Sequence, residues 1–232
     1  MKIFARISWV YATLVIALSL AVMIATYRFL PRPSSRKLAA NMIQKLAFFG
    51  VDVSGVEDPS AQIFLMNHQS DLDIALMELI SKRDITWVAK KELFEIPFFG
   101  LALKLPKDIA VDRESKSSLV KLLRDAKEAV DASRVIAMFP EGTRARDGKM
   151  LPFKNGAKML ADSYSLVVQP VVFVATAKHY NAKDMIYHSG KIKAIFLPSF
   201  RAQKDDKEWL GRLQKEMQEA YDRELSRDNS SR

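Results

Sequence analysis

Residues Ile7 to Tyr27 run for 21 positions without a charged side chain (ISWVYATLVIALSLAVMIATY). A helix rises about 1.5 Å per residue, so such a segment reaches across a hydrocarbon core about 30 Å thick. Trp9, Tyr11 and Tyr27 stand near its ends, where amphipathic rings settle at the headgroup level. Three states fit this pattern: a spanning anchor, a helix embedded from one side, and a cleaved signal peptide. Lys2, Arg6 and the Ser19-Leu20-Ala21 step suit the third, but the apolar run continues past that step. Both flanks are basic, but five residues follow the stretch (Arg28, Arg32, Arg36, Lys37, Lys45) and two precede it, an imbalance that favours the C-terminal side as cytoplasmic.

The formal charge of +9 invites a nucleic-acid reading, so its location matters. The first 50 residues hold seven basic residues and no acid, leaving 29 basic against 27 acidic residues, a balance of +2, for the other 182. The excess flanks the apolar stretch and argues for a membrane over nucleic acid. The sequence has no cysteine, which removes disulfides, thiolate nucleophiles, zinc fingers and iron–sulfur clusters together.

Pro31 and Pro33 break the first helix, and Ser34 or Ser35 can cap a second one running to Phe49. Leu38, Met42, Leu46 and Phe49 share a face, with Arg36, Lys37 and Lys45 available for lipid phosphates; an ordinary core-facing helix fits equally well. Residues 1–49 are expected to form a two-helix membrane-docking element ahead of a domain at 50–232. Beyond Gly50 the pattern alternates. Strands are expected at Ala61–Met66, Ile85–Ala89, Ile109–Asp112, Val135–Phe139, Leu166–Val174 and Ile192–Leu197. Helices are expected at about Leu72–Ser81, Lys91–Lys104, Ser115–Asp131, Asn155–Ser163 and Asp206–Leu225, with a disordered tail at Asp228–Arg232. This order implies an α/β fold, a layered sheet with flanking helices.

Three polar clusters each close an apolar strand, the position where ligands gather in open α/β sheets. The first is Asn67-His68-Gln69-Ser70-Asp71-Leu72-Asp73. His68 in the turn and Asp73 in the first helical turn can meet, giving a general base with its tautomer fixed by a carboxylate. Ser70-Asp71-Leu72-Asp73 also matches a helix-start capping pattern, so Asp73 as a simple cap stays open. The second is Phe139-Pro140-Glu141-Gly142-Thr143-Arg144, where Gly142 permits a tight turn, Arg144 offers a fork for phosphate and Glu141 can accept from a hydroxyl. A solvated β-turn is the plain alternative. The third is Asp112-Arg113, with Arg113 a phosphate contact or an ion-pair partner. His179 and His188 read as loop residues, and no second histidine stands at metal-ligand spacing from His68.

These segments resemble the 1-acylglycerol-3-phosphate O-acyltransferases of the glycerolipid acyltransferase family. Asn67–Asp73 matches its NHxSxxD block, Ala89–Gly100 is similar to its AKKEL…PFFG segment, and Phe139–Arg144 matches FPEGTR. Leu151–Ala157 matches LPFKxGA, and Val168–Val172 resembles the proline-containing fourth motif. Two departures stand out. Pro106-Lys107-Asp108 replaces a glycine-containing approach to the Asp-Arg ending, and Gln169 stands where an apolar residue is usual.

The resemblance implies that His68 takes the proton from the sn-2 hydroxyl of lysophosphatidic acid as it attacks an acyl thioester, giving phosphatidic acid. Asp73 would orient His68, while Arg113, Glu141, Gly142, Thr143 and Arg144 would hold the glycerol-phosphate end. The donor would be acyl-CoA or acyl carrier protein, with no metal and no bound cofactor. The expected location is the cell membrane (the inner membrane in a bacterium), with the catalytic domain on the cytoplasmic side. Another lysolipid acceptor is the nearer alternative, and a non-catalytic membrane lipid-binding protein the further one.

Overall fold

A computed structural model of the chain describes residues 2–112, 116–145 and 148–230. Helices α1 (Lys2–Thr26) and α2 (Arg32–Leu46) form an antiparallel hairpin. Near one end of it the Arg36 Nε donates to the Tyr27 hydroxyl at 3.2 Å; near the other, Tyr11 donates to the Leu46 carbonyl at 2.8 Å. The chain continues through β1 (Phe49–Ser54), β2 (Ile63–Met66), α3 (Leu72–Ile80), β3 (Ile85–Lys90), α4 (Lys91–Glu95), α5 (Phe99–Lys104) and β4 (Ile109–Val111). It then forms α6 (Lys116–Asp131), β5 (Val135–Met138), α7 (Asn155–Ser163), β6 (Val167–Val174), α8 (Thr176–His179), β7 (Tyr180–Asn181) and β8 (Ile186–Tyr187). The last elements are β9 (Gly190–Phe196), β10 (Phe200–Arg201) and α9 (Trp209–Ser230).

Among the described residues the main sheet runs β1-β9-β6-β2-β5-β3-β4, with β10 antiparallel on β6. The central run β6-β2-β5-β3-β4 is parallel throughout. Every residue of β2 and β5 is buried, because helices cover both faces of a parallel sheet. Successive residues serve opposite layers. Ile63, Leu65, Ile136 and Met138 pack with α6, α7 and α9, while Phe64, Met66, Val135 and Ala137 pack with α3 and the Ala12–Val15 stretch of α1. Burying each of the larger side chains contributes about 1.5–3 kcal/mol.

The element order follows the hydrophobic pattern closely, and the differences have physical causes. The expected helix at Lys91–Lys104 is two, because Pro97 interrupts it. A Cβ on Gly100 would stand 2.2 Å from the Phe94 carbonyl oxygen, so only glycine lets α5 fold back on α4 at that distance. The second helix is not serine-capped: Pro31 is its N-cap, and it stops at Leu46. Phe48 then turns at φ 52° and Phe49 begins β1, an edge strand whose glycine, aspartate and outer exposure hid it from the pattern. The expected disordered tail is helical through Ser230, the end of α9, and residues 231–232 lie outside the described residues.

Arg36 and Lys37 are engaged by partners within the protein. Arg36 is buried and reaches Glu78 Oε1 at 3.0 Å and Asp108 Oδ2 at 2.5 Å, while Lys37 donates to the Ser81 carbonyl at 3.0 Å. α2 is thus bolted onto α3 and the start of β4. The Asp108 departure belongs to this bolt, since its other oxygen accepts from the Trp87 amide at 2.9 Å. The Gln169 departure is equally internal: buried in β6, it accepts from the Asp58 amide and donates to the Val56 and Leu197 carbonyls.

One face of α1 is seated, with Ala12, Val15 and Ser19 buried, and the other presents Phe4, Ile7, Leu14 and Leu18 to the outside. The Phe4–Thr26 part is long and apolar enough to cross a membrane by length and composition.

Candidate active site

Parallel strands bring their C-terminal ends to one edge of the sheet. β2 delivers His68 there, its neighbour β5 delivers Phe139 to Ala145, and β4 delivers Asp112. Asp112 sits three strand spacings from β2, roughly 14 Å. Its amide donates to Ser118 Oγ at 2.8 Å. Arg113 lies outside the described residues.

Asp73 is fully buried in the first turn of α3 and points back to the loop. Its Oδ2 lies 2.9 Å from His68 Nδ1 and also accepts the amides of Gln69 at 2.7 Å and Ser70 at 2.9 Å. One Asp73 oxygen therefore gathers the helix start and meets the imidazole. A ring with Nδ1–H donated to a carboxylate leaves Nε2 as the basic nitrogen. The imidazole stacks on Phe139, with centroids 3.9 Å apart and planes 13° from parallel, and its side chain is 15% exposed. Trp87 stacks behind Phe139 at 5.6 Å. The imidazole is thus clamped on one face and held at one nitrogen, with part of its surface exposed.

The surrounding polar residues hold this loop. Asn67 is buried and exchanges two hydrogen bonds with the Phe173 backbone, each 2.8 Å, which pins the end of β2 to β6. Ser70 Oγ donates to the Tyr180 carbonyl at 2.6 Å and accepts from the Leu72 amide. A hydroxyl so committed and 2% exposed is poorly placed to act as a nucleophile.

Glu141 is buried and spans two loops: Oε1 accepts the His68 amide at 2.8 Å and Oε2 the Leu151 amide at 2.6 Å. Burial pushes its carboxyl above the ordinary range, against the pull of those two amides. In the sequence Glu141 can accept from a substrate hydroxyl; in the fold each of its oxygens meets a backbone donor, one of them the amide of His68. The Ala145 amide completes the join, donating to the His68 carbonyl at 2.8 Å. Gly142 turns at φ 72°, a conformation glycine adopts without strain. That turn leaves Thr143 and Arg144 exposed, with Arg144 paired to Asp71 of the His68 loop, itself half-exposed. Glu141, Gly142, Thr143 and Arg144 are thus brought to His68 and Asp73 by one pair of neighbouring strands.

Two residues here were not singled out in the sequence. Tyr180 couples the Ser70 turn to the first helix, since its hydroxyl lies 3.1 Å from Thr13 Oγ1. Lys90 ends β3 on the same sheet edge and is exposed. His179 and His188 lie off the site, with His179 Nδ1 3.0 Å from the His188 carbonyl. Among the described residues no three His, Cys, Asp or Glu side chains gather as metal ligands.

The arrangement can take a proton from a hydroxyl at the sheet edge and place an anion beside Arg144. Comparisons with known proteins supply the family. The sequence profile of the Acyltransferase family matches residues 50–174. A 1-acyl-sn-glycerol-3-phosphate acyltransferase of Helicobacter pylori is 38% identical over 216 residues, 91% of each chain. The human 1-acyl-sn-glycerol-3-phosphate acyltransferase alpha is 33% identical over 153 residues, 64% of this chain and 54% of the human one. In the solved structure of the 1-acyl-sn-glycerophosphate (LPA) acyltransferase PlsC from Thermotoga maritima, the same fold extends over 98% of this chain and 97% of that one, with a TM-score of 0.73 at 23% identity.

Proposed function

Because the chain belongs to the 1-acylglycerol-3-phosphate acyltransferase family, we propose that it transfers an acyl chain from acyl-CoA or acyl carrier protein to the sn-2 hydroxyl of lysophosphatidic acid, giving phosphatidic acid. The observation that carries the mechanism is the 2.9 Å contact between His68 Nδ1 and the buried Asp73 carboxylate. His68 Nε2 takes the hydroxyl proton as that oxygen bonds to the thioester carbonyl carbon. The carbon–sulfur bond then breaks, and the imidazolium returns its proton to the departing thiolate. Asp73 stabilises the imidazolium, the division of labour of a serine-protease triad with the substrate hydroxyl in place of the serine. General-base assistance of this kind contributes about 10²–10⁴ in rate, and alignment of hydroxyl and thioester supplies the rest.

Arg144 is the residue we assign to the acceptor phosphate. It is exposed and its planar fork suits a phosphate, for which it would exchange its present partner Asp71. Arg113 and Thr143 are assigned to the same headgroup, while Gly142 sets the turn and Glu141 supports it. The embedded face of α1 brings this edge to a bilayer that holds both lipid substrate and product, with the domain on the cytoplasmic side, where both thioester donors occur.

Lysophosphatidic acid and oleoyl-CoA given to the purified protein in detergent are expected to yield phosphatidic acid. Arg144→Ala is expected to raise KM for lysophosphatidic acid by about 10- to 100-fold, the worth of one or two hydrogen bonds to a charged group. Turnover of monoacylglycerol, which lacks the phosphate, is expected to be slow and unchanged by that substitution. Equal turnover of both acceptors, indifferent to Arg144→Ala, would assign the site to another acceptor.

A further inference from the structure

The segment between β3 and β4 carries a surface that the chemistry does not use. Ile96, Phe98, Leu101 and Leu105 are all exposed, Phe98 by 80%. The chain holds Phe98 out at some cost. Its φ of 61° and ψ of −52°, with the Phe99 amide 2.7 Å from the Pro97 carbonyl, form a tight three-residue turn that a bulky side chain rarely occupies.

This ridge is continuous with the apolar face of the first helix hairpin. α5 packs against α1, and Arg32 Nη1 donates to the Pro106 carbonyl at 3.3 Å, which draws the turn between α1 and α2 beside Leu105. That turn exposes two more apolar side chains, Phe29 by 80% and Leu30 by 42%. Lys104 and Lys107 are exposed on the same segment, cations of the kind that anionic headgroups attract. α4 leaves β3 from the sheet edge that carries His68, so the ridge and the site share one end of the molecule.

We propose that the Ile96–Leu105 segment is a second membrane-seating element, with Phe98, Leu101 and Leu105 entering the interfacial layer of an anionic bilayer beside α1. It rests on the reading of α1 as membrane-embedded. Two seats fix the orientation of the domain as one helix does not, and they turn the His68 edge toward the lipid, so that an acceptor enters sideways from its own leaflet.

The absence of cysteine makes single-site labelling direct. Full-length Phe98→Cys, Leu14→Cys and Val120→Cys variants, each carrying a nitroxide, are reconstituted into phosphatidylcholine–phosphatidylglycerol vesicles. Val120, 71% exposed on α6, belongs to the layer on the opposite face of the sheet from α1. All three sites are exposed, so the labels displace no core packing. At position 98 the label is expected to collide with dissolved oxygen and be shielded from an aqueous nickel chelate, as at position 14, while position 120 shows the reverse. A label at 98 as accessible to nickel as that at 120, with 14 shielded, overturns the second seat and leaves the α1 reading standing. Nickel access at both 14 and 98 overturns the two together. Shielding of 98 from oxygen and nickel alike means a protein partner or second copy covers the ridge, and also refutes the proposal.

Discussion

Replacing His68 with alanine is expected to lower acyl transfer by about 10²–10⁴ while the protein stays folded and membrane-bound. The side chain is partly exposed and its removal leaves the loop amides intact, because Asp73 Oδ2 still accepts from Gln69 and Ser70 and Glu141 still accepts the amide of residue 68. Asp73→Asn is expected to fall in the same range with a larger effect on stability. Its amide cannot serve three donors as the carboxylate does, and the histidine loses the partner that fixes its tautomer. Transfer rates with lysophosphatidic acid and oleoyl-CoA, beside a thermal melt of each variant, check this pair. Full activity in His68→Ala would remove the proposed base.

The largest structural effect is expected at Arg36. Substitution by methionine leaves Glu78 and Asp108 buried without their cation, a change that costs about 3–5 kcal/mol. Against a total stability of about 5–15 kcal/mol this is a large fraction. The cost depends on pH in a predictable direction. Burial holds both carboxyls above their ordinary range, so the folded chain binds protons that the unfolded chain has already released. Their contribution to stability therefore falls as pH rises from the ordinary carboxylate range through the raised values. Without Arg36 that fall steepens, and acidification is expected to restore part of the lost stability. Adding Glu78→Gln and Asp108→Asn to Arg36→Met is expected to recover much of the loss at neutral pH. Urea unfolding in detergent across pH measures all three effects. A pH-independent loss in the single variant would rule out the buried carboxylates as its cause.

The contrast between Arg36 and His68 shows what the sequence makes legible. His68 and Asp73 lie five residues apart across one strand-to-helix turn, so local geometry was enough to join them. The layered α/β order was legible for the same reason, since strand runs such as IFLM and VIAM and the helix at Asn155–Ser163 are set by local burial patterns. Arg36 finds its partners 42 and 72 residues away. In the sequence it stands in a stretch without acids and looks like a lipid-phosphate ligand. Glu141 is similar, because its acceptors are engaged by amides 73 residues upstream and ten downstream. The two departures from the family pattern, Asp108 and Gln169, also answer distant backbone and ion-pair partners inside the fold. A motif reports which residues gather; the long-range hydrogen bonds decide which of them face the substrate.

On the proposed mechanism the acyl group passes directly from thioester to a hydroxyl activated by His68. Ser70, the nearest hydroxyl to the base in the sequence, is committed to Tyr180 and Leu72, and the chain holds no thiol. Rapid-quench single turnover with acyl-labelled oleoyl-CoA tests this most directly. CoA is expected to be released only when lysophosphatidic acid is present, with label moving into phosphatidic acid and none on the protein. A burst of CoA without acceptor, with covalently acylated protein, would contradict it.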